Sequence, residues 1–226
     1  MEYRFAESAA CGFDEIDCQA SRASRNGRAN MNKLRIGIIA VLLLLICSIA
    51  TLRITGLEPE YMDYTTEAYN QRGRMTYPGL WLKGELVREP VDNWDWVQDV
   101  EHPVRGNTIM LETRTWYGIP YSVTILPTPR GENLYIGGSA RGARLSRTFP
   151  NYKQWWANVE RDPRVRLKID GKIYEMTAAL VHDPVELESI LGRAPVTTRL
   201  NEDGSEEVVA KWYYWRVTQR LSLIHI

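Results

Sequence analysis

The chain is poor in cysteine and histidine, and this scarcity restricts the chemistry that it can perform. Its 226 residues include three cysteines, the last of which is Cys47, so the remainder of the chain has none. That distribution argues against a disulfide framework, a cysteine nucleophile and a cysteine zinc site in the remainder. The three histidines, His102, His182 and His225, are far apart and lack the spacing of metal ligands. The sequence therefore predicts no metal site.

The chain also lacks a basic excess. It has 28 basic and 28 acidic side chains, of which seven basic and five acidic lie in residues 1–56, leaving 21 basic and 23 acidic thereafter. Domains that bind DNA or RNA usually carry a clear positive excess. The composition therefore predicts no nucleic-acid partner.

Motifs for phosphate binding and hydrolysis are missing as well. No G-x-S-x-G sequence is present to form a nucleophile elbow. The stretch GGSARG at residues 137–142 has neither the lysine of a P-loop nor the spacing of a dinucleotide fingerprint. Triad hydrolysis is not favoured by any local pattern.

An uncharged apolar run is present near the start. The 17 residues from Ile36 to Leu52 carry no charge, and Lys33, Arg35 and Arg53 flank them. As a helix the run would measure about 25 Å, enough to cross a bilayer with snorkelling arginines. A cleaved signal peptide is the open alternative, because Ser48-Ile49-Ala50 resembles a cleavage site. The excess of basic residues before the run predicts a single-pass protein of the inner or cytoplasmic membrane. Its large domain would lie on the periplasmic or extracellular side.

The composition changes along the chain predict five segments. These are a polar cytoplasmic tail (1–32), a transmembrane signal anchor (33–54), a linker and packing segment (55–106), a barrel domain (107–220) and a non-native or truncated tail (221–226). Met31 is an alternative start.

Within the barrel domain, short strands outnumber helices. Alternating or β-branched runs predict strands over 107–115, 121–128, 134–138, 164–170, 172–181 and 208–217. Asp170-Gly171 is a strong hairpin signal. Helices are predicted over 151–163, with Asn151 as the N-cap, and from Asp183-Pro184 to Gly192. Five or six hairpin-linked strands predict a mainly β fold, a small barrel.

The segment GGSARGARLSR, from Gly137 to Arg147, invites two interpretations. Small residues let backbone amides approach an anion, serine donates a hydrogen bond, and arginine grips phosphate bidentately. A solvated surface loop explains the same residues. Arg147, next to the following helix, is expected to be merely solvated.

The run from Trp155 to Val165, WWANVERDPRV, resembles a motif of the pyridoxamine 5'-phosphate oxidase-like split β-barrel flavoproteins. This family includes deazaflavin-dependent nitroreductases and quinone reductases. The resemblance implies a mainly β (α+β) split barrel of the FMN-binding type that binds FMN or a deazaflavin coenzyme and forms a homodimer. It also implies an oxidoreductase that transfers hydride to a quinone- or nitro-type acceptor. A non-catalytic split-barrel module binding haem, flavin or a protein partner is the alternative.

The resemblance also implies where the cofactor would bind. The implied cofactor-binding residues are Arg114, Thr115, Tyr121, Gly138, Ser139, Arg141, Arg144 and Trp156. Trp116-Tyr117-Gly118 stands where deazaflavin-dependent members carry a basic-x-serine-glycine turn, so FMN and deazaflavin both remain open. Tyr117 is the single guess for a catalytic group, which is otherwise unknown.

Overall fold

The computed structural model of the chain describes residues 13–61, 76–100, 107–147 and 153–221. The chain divides into two compact units, Met1–Thr51 and Leu52–Ile226. The predicted cap Asn151 and parts of the predicted tails and linker lie outside the described residues. The five predicted segment boundaries stay predictions.

The first element is a long helix, α1 (Phe13–Thr55). Its section Lys33–Thr55 is long and apolar enough to cross a membrane. The hydroxyls of Ser48 and Thr51 each donate to a backbone carbonyl one turn earlier, at 2.8 Å. Polar groups in an apolar medium need such internal partners. The helix begins well before the predicted anchor, because residues 13–32 contain no proline to stop it.

The second unit is mostly β. Its strands are β1 (Glu60–Tyr61), β2 (Thr76–Tyr77), β3 (Glu85–Leu86), β4 (Ile109–Arg114), β5 (Pro120–Ile125), β6 (Pro127–Arg130), β7 (Asn133–Arg141), β8 (Arg164–Ile169), β9 (Lys172–Leu180), β10 (Val196–Leu200) and β11 (Glu206–Gln219). The helices are α2 (Gln154–Arg161) and α3 (Pro184–Leu191), with short 3₁₀ turns η1 (Asp95–Asp99) and η2 (Gly142–Ser146).

Nine of these strands form one curled sheet, a half-barrel. Its order is β5-β4-β8-β9-β11-β7-β6, with β10 added to β11 and β3 added to β9. All neighbours are antiparallel except β3 and β9. The fourteen-residue β11 bonds to three strands and so bridges the two halves of the sheet. The predicted mainly β class with an N-terminal apolar helix is confirmed.

Local sequence explains the β8–β9 hairpin. Val165, Leu167 and Ile169 are buried and alternate with more exposed basic residues. The connecting Asp170 and Gly171 both have positive φ, 48° and 75°. A type I′ turn requires this conformation at both central positions, and the Asp-Gly pair adopts it readily.

Helix α2 presents its apolar face to the sheet. Trp155, Trp156 and Val159 are buried in the main core, as the helical spacing predicts. Asn158 is fully buried beside them, and its Nδ2 donates to Thr113 Oγ1 on β4 at 2.9 Å. This hydrogen bond fixes the helix on the sheet and satisfies two buried polar groups.

Several strand assignments differ from the sequence predictions. β7 continues beyond the predicted end at residue 138 to Arg141, so the predicted loop is wrong over residues 139–141. Eight backbone pairs with β11, from Leu134 to Arg141, hold the strand extended in spite of its glycines. Four strands were not predicted, because β1, β2 and β3 have two residues each and β10 is exposed and lacks an apolar alternation. The run predicted as one strand over 121–128 is divided between β5 and β6.

Candidate functional site

The extension of β7 places its residues on two opposite faces of the sheet, because successive strand side chains alternate. Leu134, Ile136 and Ala140 belong to the main core, so Gly138 lies on this inner face with them. Tyr135 packs in a separate cluster on the outer face. Ser139 and Arg141 share that outer face by strand alternation. The implied cofactor residues of β7 are therefore divided between the two faces.

On the inner face, Lys153 and Trp156 lie against Gly138. A Cβ built on Gly138 would be 2.5 Å from Lys153 Nζ and 3.3 Å from Cζ2 of Trp156. The Lys153 ammonium also stands over the Trp156 ring, 5.0 Å from its centroid. The missing side chain at position 138 thus creates the space that the lysine amine occupies.

The Lys153 amine is in an unfavourable electrostatic position. Burial, with a smaller contribution from the positive charge of Arg144, lowers its pKa from 10.5 to about 8. Among the described residues, Lys153 forms no ion pair with a carboxylate. A partly buried cation beside a second cation indicates a place where an anion would be stabilised.

Two further cations complete the group. The Arg147 guanidinium lies over the rings of Tyr213, at 4.7 Å, and Trp156, at 5.7 Å, and is ion-paired with Glu160. Lys211 Nζ lies 5.3 Å from the Tyr213 centroid. We call the set Arg144, Arg147, Lys153, Lys211, Trp156 and Tyr213 the inner cation–aromatic cluster. Its four cations meet one described carboxylate, so the cluster is electropositive.

The cluster also contains an unused hydrogen-bond donor. Trp156 Nε1 is buried and has no acceptor among the described residues. A buried N–H without a partner costs about 1–3 kcal/mol. An acceptor oxygen supplied by a ligand would remove that cost, in the same place where the cations favour negative charge.

The outer face holds a different arrangement. Arg141 and Arg193 both stack on Trp212, with guanidinium carbons 5.9 Å and 4.8 Å from the ring centroid. Trp212 is the cross-strand partner of Ser139. Ser139 and Arg141 thus lie together, but the sheet separates them from Lys153 and Trp156.

The remaining implied residues lie on the β4–β5 hairpin. Thr115 is buried, and its hydroxyl donates to the Ile119 carbonyl within the turn. Tyr121 packs against the main core. The carbonyl of Arg114 accepts from Arg161, in the last turn of α2. Lys153 immediately precedes the first residue of that eight-residue helix. The hairpin residues and the inner cation–aromatic cluster therefore lie at opposite ends of α2, whose length is about 12 Å.

Tyr117, the guess for a catalytic group, is at the tip of the same hairpin. Its side chain is exposed and forms an edge contact with Trp116, 5.2 Å between ring centroids. The tip is at the Arg114 end of α2, away from Lys153.

Sequence reasoning missed three members of the cluster. Arg147 was expected to be only solvated, and this is wrong, because it is ion-paired and stacked on two rings. Lys153 and Lys211 were not considered. Lys153 immediately precedes the tryptophan helix and could have been noticed there. Lys211 belongs to the cluster only because β11 pairs with β7.

Comparison with known proteins adds little. No family model and no curated protein matches the chain. Among solved structures, the conserved hypothetical protein Rv2991 from Mycobacterium tuberculosis is similar, at 17% identity and a TM-score of 0.32. The match covers 59% of this chain and 86% of that chain. Similarity at this level supports no inference about ligand or activity, so membership of the split-barrel flavoprotein family stays a prediction from the sequence.

Proposed function

We propose that the chain is a membrane-anchored oxidoreductase that binds FMN or a deazaflavin coenzyme. The observation that carries this proposal is the inner cation–aromatic cluster. It combines a partly buried lysine, a second cation and a buried indole N–H beside a glycine of the sheet, and within the described residues neither the lysine has a carboxylate partner nor the indole an acceptor. The resemblance around Trp155 to Val165 supplies the class of cofactor.

The residues of the cluster fit the phosphate of such a cofactor. Lys153 and Arg144 provide positive charge, and the Nε1–H of Trp156 provides a directional donor. Charge-assisted hydrogen bonds of this kind are the strong ones in phosphate recognition. Gly138 leaves room for an oxygen to replace part of the space that the amine now fills.

The chemistry would come from the cofactor, which accepts or donates a hydride when bound. The chain's residues would hold and orient it: Lys153 and Arg144 at the phosphate, and Trp156 and Tyr213 at its apolar edge. A quinone- or nitro-type acceptor is proposed, because an anchored domain meets lipid-soluble molecules at the membrane surface. A homodimer completing the site is part of the same proposal.

The proposed orientation places the domain on the periplasmic or extracellular side. Lys33 and Arg35 lie at the start of the candidate span, before its uncharged run, whereas Glu58 and Glu60 follow the span closely. Basic residues are retained on the cytoplasmic side of single spans. Protease treatment of intact spheroplasts tests this side, since a cytoplasmic domain would be protected.

The binding experiment uses the full chain in detergent, titrated separately with FMN and with a deazaflavin coenzyme. Binding is followed by the visible spectrum and by tryptophan emission. We expect one of the two to bind at micromolar concentration, and Lys153→Met to weaken binding about tenfold or more through loss of a charge-assisted contact. Binding of neither cofactor would refute the proposal.

Two variants serve as controls. Lys172→Met removes an exposed lysine at the β8–β9 turn and should leave affinity unchanged. Arg141→Ala tests the outer face: a loss of affinity there, with none in Lys153→Met, would move the site to Ser139 and Arg141.

A non-catalytic binding module is the second candidate. It is favoured by the position of Tyr117, whose exposed side chain lies away from the cluster and leaves the site without an identified acid. Cofactor binding with no reduction of menadione or a nitroaromatic compound would support this candidate against the enzyme.

A further inference from the structure

The tip of the β4–β5 hairpin exposes three large apolar side chains in four residues. Trp116 is 78% exposed, Tyr117 56% and Ile119 39%. The turn is held closed by the bond from Gly118 N to the Thr115 carbonyl, 3.2 Å, and by the Thr115 hydroxyl. The exposed aromatic pair is therefore presented on an ordered turn, and nothing in the described chain covers it.

The composition of this tip suits a membrane interface. Tryptophan and tyrosine prefer the level of the lipid headgroups, where one end of the ring is apolar and the other wet. Arg114 and Arg161 are exposed at the base of the tip, where the Arg161 guanidinium donates a hydrogen bond to the Arg114 backbone carbonyl. Arginines in this position complement lipid phosphates while the rings enter the acyl boundary.

A short path of hydrogen bonds connects the tip to the end of the candidate span. The span ends at Thr55, and Leu57 already bonds to the strand-like segment at Leu80 and Trp81, 2.6 and 3.0 Å. The adjacent Gly79 bonds in both directions with Ser122 of β5, 2.9 Å each. Ser122 is four residues from Gly118, about 13 Å along a strand. The tip thus belongs to the part of the domain that is tied directly to the residues leaving the membrane.

We propose that the Trp116–Ile119 tip inserts into the headgroup layer of the bilayer that holds the candidate span. It would act as a second membrane contact beside the helix. With a span alone, the domain could rotate about the tether at Gly56. Two contacts fix which side of the sheet faces the lipid. This inference rests on the membrane anchoring in the proposed function and not on cofactor binding.

The test uses the full chain reconstituted into phosphatidylcholine vesicles. Flotation of the protein with the vesicles first establishes anchoring, so a failure of anchoring is recognised separately. Tryptophan emission is then compared in ordinary vesicles and in vesicles whose lipid is brominated near the headgroup end of the acyl chains. Bromine quenches only tryptophans that reach it. All eight tryptophans follow residue 80, so the span itself contributes no signal.

Trp116→Phe removes the reporter while keeping an aromatic ring, and Trp96→Phe removes another exposed tryptophan as the matched control. We expect Trp116→Phe to lose the bromolipid-dependent quenching that wild type and Trp96→Phe share. Equal quenching in all three proteins would overturn the inference. A second copy of the chain covering the tip would give a different result. Trp116 would then show no bromolipid quenching, and its shielding from acrylamide would increase with the protein-to-lipid ratio; this result would overturn the inference.

Discussion

Replacing Lys153 by methionine should stabilise the protein at neutral pH. The pKa of Lys153 falls from 10.5 to about 8, which corresponds to roughly 3 kcal/mol against the charged amine in the folded state. The contact of the ammonium group with the Trp156 ring, 5.0 Å from the centroid, offsets about 1 kcal/mol of that cost. Methionine keeps the unbranched apolar stem and removes the charge. The expected gain in the free energy of unfolding is about 2 kcal/mol.

The pH dependence makes this prediction specific. The folded-state pKa of Lys153 lies below the unfolded value, so the unfolded chain binds more protons between pH 8 and 10.5. The destabilisation by Lys153 is fully present below about pH 8 and disappears as the pH rises to 10.5. The advantage of Lys153→Met should therefore vanish over that window.

Urea unfolding of the full chain in detergent measures the effect. Near-ultraviolet circular dichroism reports on the tryptophan cluster, because Trp155 and Trp215 are 5.0 Å apart between centroids and Trp156 joins them at 5.9 and 6.0 Å. Lys172→Met, which changes an exposed lysine, should be neutral. The reasoning is refuted if Lys153→Met is no more stable than wild type at pH 7, or if its gain is the same at pH 7 and pH 10.5.

Other substitutions test the cluster, the packing of α2 and the cap of α3. Gly138→Ala should push the Lys153 amine aside, because the new Cβ would lie 2.5 Å from Nζ; cofactor titration should show weaker binding with little change in urea midpoint. Asn158→Leu should lower the free energy of unfolding by about 1–3 kcal/mol, since it removes the hydrogen bond that Thr113 Oγ1 accepts from Asn158 Nδ2. In a double-mutant cycle, Thr113→Val should cost less in the Asn158→Leu background than in wild type, where it breaks this bond as well as the bond from the Thr113 hydroxyl to the Tyr121 carbonyl. Asp183→Ala should cost about 1 kcal/mol in urea unfolding, because Asp183 Oδ1 accepts from Val185 N at 3.0 Å and caps α3.

Features governed by neighbours in the sequence were predictable. The Asp170-Gly171 hairpin and the end of α3 at Gly192 depend on positive φ angles that the local residues favour. The buried face of α2 follows from the helical spacing of Trp155, Trp156 and Val159. The hairpin also predicts an antiparallel strand pair, because a two-residue turn can join only antiparallel strands.

Features governed by long-range strand pairing could not be predicted from the sequence. Gly137 to Ala140 have low strand propensity, and only the register with β11 draws them into β7. That extension decides which side chain faces which way, so the predicted cradle of Ser139, Arg141 and Arg144 could not be judged from the sequence. A loop would have let all three converge, whereas the strand sends the first two to the outer face.

The same pairing explains how the cluster can be electropositive in a domain without a basic excess. Lys211, Lys153 and the η2 arginines come from separate parts of the chain, and each is unremarkable in its local sequence. The sheet brings Lys211 and Gly138 to adjacent strands, and α2 brings Lys153 over them. Like charges gathered in this way destabilise the fold. Lys153 has no carboxylate partner among the described residues to offset this cost, so it is a stronger argument for the proposed anionic ligand than the arginine-rich sequence of η2.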